Sequence, residues 1–470
     1  MRHAQPQQAQ DREEARMDIR EAIRTQPMRP FQVWIVAICV LLAMIDGYEV
    51  VVMPFTMPHL AQAWALTPVQ IGYLLSAGIF GMALGAALIS PLADRIGRRR
   101  HILLCLAMIT LGMALSAMAQ NVGQLVAVRA FAGLFIGAVI SSLNIMVAEY
   151  SSERRRGTVM GLYGVGLPLG SALAGLAIVE LVGAYSWRAP FAFGALLTAV
   201  MFVVVLVSLP ESIEYLVEKR PAGALESYNR IGRRLGFAPA KALPERQSHI
   251  AGEKPWRETF RGITGLRTAC LWLGYAGLIA AFYFANTWTA KLIADTSGEP
   301  NLGIRAGMLI QFGGVAGALL FAVLALRLRP RLVTTLILMG GAMVFVLYAS
   351  QIGNVSSALM LAALLGVFAN GAVSAFYAIS PPVYPTVARA TGVGLMIAFG
   401  RSVAILAPVG TGYMLAAGWT PGVLYQFFGG VLVVSALAAA LLDRSYRGRS
   451  ENPETPDAPA GEGTAGTRTA

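Results

Sequence analysis

Apolar residues run together along nearly the whole chain in stretches of about twenty, the length a helix needs to cross a bilayer core. Short polar loops break them. Spans are expected near 34–55, 70–91, 102–119, 122–147, 159–181, 190–209, 268–289, 305–325, 332–350, 356–379, 391–416 and 421–442. Six precede a polar stretch at 210–267 and six follow it. That stretch has helical spacing and many charges, so it reads as a surface linker with short amphipathic helices. The expected plan is a tail at 1–33, a six-helix half at 34–209, the linker at 210–267, a second six-helix half at 268–442 and a disordered tail at 443–470. Two halves of six suit a transporter built from repeats, with its site near the midplane between them.

Composition agrees with an all-α membrane protein of twelve helices. Hydrophobic residues make up 56% and charged residues 13%, with a mean hydropathy of +0.61. The 50 glycines suit helices that pack closely in lipid. No apolar segment with a cleavage site opens the chain, so no signal peptide is expected. The net charge of +12 is a topology signal. All but five of the Lys and Arg residues fall in the tails, the linker and the loops on their side; the others are Arg188, Lys291, Arg305, Arg129 and Arg401. Lys and Arg are retained in the cytoplasm, so both termini and the linker are expected there, in a multi-pass protein of the inner (plasma) membrane. Nucleic-acid binding is excluded by that distribution.

Enzyme chemistry has little support. Cys39, Cys105 and Cys270 sit singly in apolar spans, and His3, His59, His101 and His249 show no metal-ligand spacing. There is no GxxxxGK[ST] loop for ATP. No metal or cofactor is expected, and transport would draw on an ion or substrate gradient.

The informative residues are charges inside spans, where each costs roughly 2.5–3.5 kcal/mol on insertion scales. The first span reads MIDGYEVVVMP at 44–54 and carries Asp46 and Glu49. Spaced by three, they share a helix side. Asp46 lies about 18 Å into its span, slightly past the middle. Arg401 falls near the middle of the eleventh span and Arg129 in the fourth. The four are expected to converge on one aqueous cavity. Acids held out of water and beside each other exchange protons near neutral pH, and a guanidinium binds a carboxylate through two parallel hydrogen bonds. The alternative is that these groups are structural ion pairs. Tyr48, Tyr283, Phe284, Trp288 and Tyr377 are candidates for apolar walls, although ordinary packing is the commoner role of any one aromatic in a span, and Asn286, Gln311 and Asn370 are better candidates for a ring hydroxyl.

Loop 90–103, SPLADRIGRRRHIL, resembles the G-x-L-x-D-R-x-G-R-R signature of the major facilitator superfamily. Asp94, Arg95, Gly97, Arg98 and Arg99 match, while Ser90 replaces the leading glycine. Asp94 is expected to cap or pair with a neighbouring helix end and latch the closed state, with Glu149 in the same network. DGYE in the first span, LPESIEYLVEKRPA at 209–222, and YPTVARATGVG and GRSVAILAP within 384–408 together resemble the aromatic acid:proton symporter family. The resemblance implies proton coupling at Asp46 and Glu49, and substrate or gating roles for Arg129 and Arg401. Glu49 replaces the family's usual second aspartate. Gln311 stands where a histidine is frequent, and Leu326, in LALRLRPRL, where the second loop signature has its acid. The expected function is proton-coupled uptake of a hydroxybenzoate-like anion by alternating access, in a monomer. A sugar or polyol symporter, a drug exporter and a membrane sensor stay open as alternatives.

Overall fold

The computed structural model describes residues 19–245, 258–260, 262–385 and 388–446. Most of the expected N-terminal tail, the C-terminal tail from 447 and linker residues 246–257 lie outside the described residues, with His3 and His249. Twelve helices are long and apolar enough to cross a membrane. In chain order they are α1 Pro30–Trp64, α2 Pro68–Leu88, α3 Arg98–Met118, α4 Val122–Glu149, α5 Arg156–Ala184, α6 Ala189–Ser208, α7 Gly262–Ser297, α8 Pro300–Ala325, α9 Pro330–Gln351, α10 Val355–Ile379, α11 Arg389–Ala416 and α12 Pro421–Arg444. The linker carries short helices at Ile213–Lys219 and Ala224–Arg234.

Local signals set the ends. The Thr67 and Gln70 side chains cap α2 reciprocally, Asn121 caps α4 and Asn354 caps α10. Proline opens α1, α2, α6, α8, α9 and α12, where its missing N–H costs nothing. α1 is longer than its apolar run predicts. It continues through Pro54 and Pro58, because neighbouring helices in a membrane bundle satisfy the backbone groups a proline frees.

The two halves repeat one packing plan. In the first, α1 packs on α5, α2 on α4 and α3 on α6; in the second, α7 packs on α11, α8 on α10 and α9 on α12. Glycines make the tight pairs. A Cβ at Gly81 or Gly137 would strike the facing backbone across the α2–α4 seam, and one at Gly313 or Gly366 across α8–α10. Gly81→Val therefore forces α2 off α4. Overpacking costs ~1–3 kcal/mol, and a backbone obstacle puts this change at the upper end. The expected result is a clearly lower melting temperature in detergent than Gly81→Ala, which is itself below wild type. A valine variant that melts like wild type contradicts the close seam.

Twelve spans put both ends of the bundle and the linker on one face, the tail face. Between the halves, α2 meets α11, α5 meets α8, and α1 meets α7 and α8. The contacts gather toward the opposite face. Tyr73 and Tyr413 hydroxyls lie 2.9 Å apart, and Ser76 Oγ donates to the Ile405 carbonyl at 2.8 Å. Gly72 abuts the Pro408 backbone, Gly412 that of Pro68, and Gly175 the Met308 side chain. The halves are joined at the far face, and the cleft between them opens toward the tails.

Candidate functional site

Gly47 makes the site possible by letting α5 close on α1. A Cβ there would lie 2.9 Å from Ser171 N, and Ser171 Oγ donates to the Gly47 carbonyl at 2.8 Å. Beside it Asp46 is 7% exposed, and its Oδ1 has no hydrogen-bond partner among the described residues. Arg401 of α11 is half-buried. It is within electrostatic reach of Asp46, Tyr275 and Tyr283, yet makes no hydrogen bond or ion pair among the described residues. Tyr163 of α5 stands near Asp46. The Tyr275 and Tyr377 hydroxyls are 3.4 Å apart, and Tyr377 is 47% exposed. One turn beyond Tyr283, Asn286 Oδ1 accepts from Gln311 Nε2 at 2.9 Å. Asn370 Nδ2 donates to its own helix at Gly366 O, 3.3 Å away, and its amide packs on Gly314. Asp46, Tyr163, Tyr283 and Arg401 thus come within reach of one another across the halves, and the Tyr275–Tyr377 and Asn286–Gln311 pairs belong to the second half.

Glu49 departs from the expected convergence. Three residues along a helix leave two side chains about 60° apart around the axis. That turn brings the Glu49 carboxyl to Thr198 of α6, while Asp46 stays within electrostatic reach of both Glu49 and Arg401. Glu49 is 1% exposed, with Oε1 at 3.0 Å from Thr198 Oγ1. Arg129 is 2% exposed. Its guanidinium donates to the Glu49 backbone carbonyl at 3.1 Å and to Met113 Sδ at 3.1 Å, and lies over the Phe191 ring. Tyr48 also turns inward, donating to the Pro190 carbonyl at 2.7 Å. The four charges form a chain rather than one cluster: Arg401 is within electrostatic reach of Asp46, Asp46 of Glu49 and Glu49 of Arg129, with no ion pair among them in the described residues. Asp46, Glu49 and Thr198 share a small apolar pocket with Leu42, Ile45 and Leu143. Phe284 and Trp288 are buried in the second half, Phe284 stacked on Phe428 and Trp288 Nε1 donating to Pro408 O at 3.1 Å. They do not wall the cleft.

The loop after α2 is bound into its own half. Gly97 has φ +98°, a left-handed turn that glycine allows without strain. Asp94 pairs with Arg98 at 3.2 Å and keeps 64% of its side chain exposed, so it makes no latch to the second half in this arrangement. The Glu211 carboxylate accepts from the Arg99 backbone N–H at 2.9 Å and caps α3. Tyr215 donates to the Arg95 carbonyl at 3.1 Å. Glu149 accepts from Ser212 Oγ at 2.8 Å, so it joins this network through the linker. Lys291 pairs with Asp295. Among the described residues no group of His, Cys, Asp and Glu could hold a metal.

Tyr163, Tyr275, Thr198 and Glu211 were not candidates from sequence. Nothing in the chain sets the three in-span residues apart from other span tyrosines and threonines. Glu211 sat in a quoted motif, but its contact with Arg99 bridges 112 positions.

A family model described as Major Facilitator Superfamily matches residues 36–377. The chain is 31% identical over 433 residues to the 4-hydroxybenzoate transporter PcaK of Pseudomonas aeruginosa, covering 91% of this chain and 94% of that protein. It is 29% identical to the gallate transporter of Pseudomonas putida, over 91% of this chain and 94% of the other. It is also 29% identical to the 3-(3-hydroxy-phenyl)propionate transporter of Escherichia coli, over 88% and 94%. Among solved structures, the bacterial homolog to the human lysosomal transporter Spinster superposes with TM-score 0.68 at 17% identity, covering 90% of this chain and 98% of that one. The xylose transporter XylE from E. coli gives 0.66 at 15% identity, over 87% and 97%. These two are alike in fold.

Proposed function

This chain belongs to the Major Facilitator Superfamily, and on that premise we propose that it imports an aromatic carboxylate anion together with protons. The observation that carries the reading is Arg401: a half-buried guanidinium in the cleft between the halves, without an ion pair among the described residues and near a buried acid. A fixed cation in a low-dielectric cleft favours an anion. Tyrosines on α5, α7 and α10 offer flat apolar faces and hydroxyls to a ring. The relatives named for 4-hydroxybenzoate, gallate and hydroxyphenylpropionate share a carboxylate and a hydroxylated ring. On this reading the loop charge bias keeps the tail face in the cytoplasm, and a cleft open to that face opens inward.

In the cycle, Asp46 and Glu49 take up protons while the cleft faces outward, and the carboxylate binds Arg401. Neutralising the acids removes the cost of holding charge out of water in the first half. The halves then rock about the site. Higher pH and lower substrate inside favour release. The test is uptake of labelled 4-hydroxybenzoate into proteoliposomes, competed by unlabelled aromatic acids and by glucose. Competition by the acids alone supports the reading; competition by glucose alone replaces it with a sugar porter.

A further inference from the structure

The Glu49 carboxyl meets a single hydroxyl inside the first half, and that hydroxyl has a second commitment. Thr198 Oγ1 lies 3.0 Å from Glu49 Oε1 and 2.8 Å from the Gly194 carbonyl oxygen, one turn back on α6. Other span threonines, such as Thr110 and Thr411, make only the bond to the carbonyl four residues back. A threonine hydroxyl has one proton and two acceptor lone pairs, so it cannot donate along both contacts at once. While it donates to Gly194, the Glu49 contact needs a proton on the carboxyl, donated from Oε1 to Oγ1. When Glu49 ionises, the hydroxyl turns and donates to the carboxylate. The Gly194 carbonyl keeps its own helical bond.

We propose that Thr198 is a positioning residue of the proton step, a two-way partner that accepts from the Glu49 acid and donates to the Glu49 carboxylate. Arg129 is within electrostatic reach of the Glu49 carboxyl, but among the described residues Thr198 makes the one side-chain hydrogen bond to it. Asp46 and Tyr48 lie beside Glu49 on α1, and α4 contributes Arg129, whose bond goes to the Glu49 backbone and not to its carboxylate. α3 brings Met113, which does not titrate. Glu49 Oε2 and Asp46 Oδ1 have no hydrogen-bond partner among the described residues, and both acids line the pocket that Thr198 shares. When a proton passes from Glu49 to an ionised Asp46, an O–H bond breaks on Glu49 and one forms on Asp46. The negative charge moves to Glu49, where the Thr198 hydroxyl now donates.

This inference rests on the proton-coupled reading above. The experiment is the pH profile of uptake and of substrate counterflow in proteoliposomes for wild type, Thr198→Val and Thr198→Ser. Valine keeps the shape and loses the hydroxyl. A hydrogen bond to an ionised group is roughly twice as strong as a neutral one, so valine penalises the carboxylate more than the acid. Its falling alkaline limb should move to higher pH by about one unit. Serine should restore the wild-type profile. In a Glu49→Gln background, valine should add no shift to the counterflow profile. If valine does not accumulate in the membrane, Thr198→Ala takes its place. A hydroxyl-free variant whose profile overlays wild type, or shifts equally in the Glu49→Gln background, overturns the assignment alone. A wild-type chain with no proton-dependent uptake overturns the reading beneath it as well.

Discussion

Asp46→Asn should still exchange substrate across the membrane but should not concentrate it. Asparagine keeps the size and hydrogen-bonding capacity of the side chain and cannot release a proton. With one proton per anion, a gradient of one pH unit supplies about 1.4 kcal/mol, enough for roughly tenfold accumulation. Wild type should approach that ratio. The asparagine variant should stop at equal concentrations inside and out, while counterflow persists because the Arg401 side of the site is untouched. Asp46 is the member of the acid pair within electrostatic reach of Arg401, so its charge is the one that substrate binding meets. Concentrative uptake by the variant on an imposed gradient would remove Asp46 from the coupling.

Arg401→Ala should weaken binding of the anion by roughly a hundredfold or more. Hydrogen bonds to charged groups contribute ~1.5–3 kcal/mol each, and each 1.4 kcal/mol is tenfold in affinity. Two parallel bonds from one guanidinium therefore set a loss of that order. Arg401 makes no hydrogen bond or ion pair among the described residues, so its removal breaks no internal pair and the melting temperature should move little. Arg401→Lys should recover part of the affinity, since an ammonium keeps the charge and loses the fork. Equilibrium binding of labelled 4-hydroxybenzoate to the purified variants measures both. Unchanged affinity in the alanine variant would put the anion elsewhere. Arg129 gives a contrasting case. Its guanidinium holds the Glu49 carbonyl and the Met113 sulfur, so Arg129→Ala should lower stability as well as transport.

The contrast between these two arginines marks where sequence stops being legible. Twelve spans could be read because apolar runs of bilayer length have few other uses. Asp46 and Arg401 could be read because a charge in hydrocarbon is too costly to be incidental. Which way each charge points was not readable. Glu49 and Asp46 share a helix side at the level of spacing, but about 60° of rotation separates an acid bonded to Thr198 from one within reach of Arg401. Arg129 sits at a suitable depth and faces the wrong way for a ligand. Tyr48 likewise spends its hydroxyl on Pro190. The half-repeat lies in which helices pair, α2 with α4 and α8 with α10, rather than in matched residues. Thr198 was invisible for a plainer reason. Threonines in spans commonly bond the carbonyl one turn back, and only the fold brings Glu49 to this one.

The most direct measurement is substrate-driven proton movement. Wild-type proteoliposomes enclosing a pH-sensitive dye, with equal pH on both sides, would be given 4-hydroxybenzoate from outside. The account predicts interior acidification faster than in protein-free liposomes, absent with glucose and absent with Asp46→Asn. Entry of the labelled acid into wild-type vesicles with no acidification beyond the protein-free control would contradict proton coupling and leave Asp46 and Glu49 as structural charges.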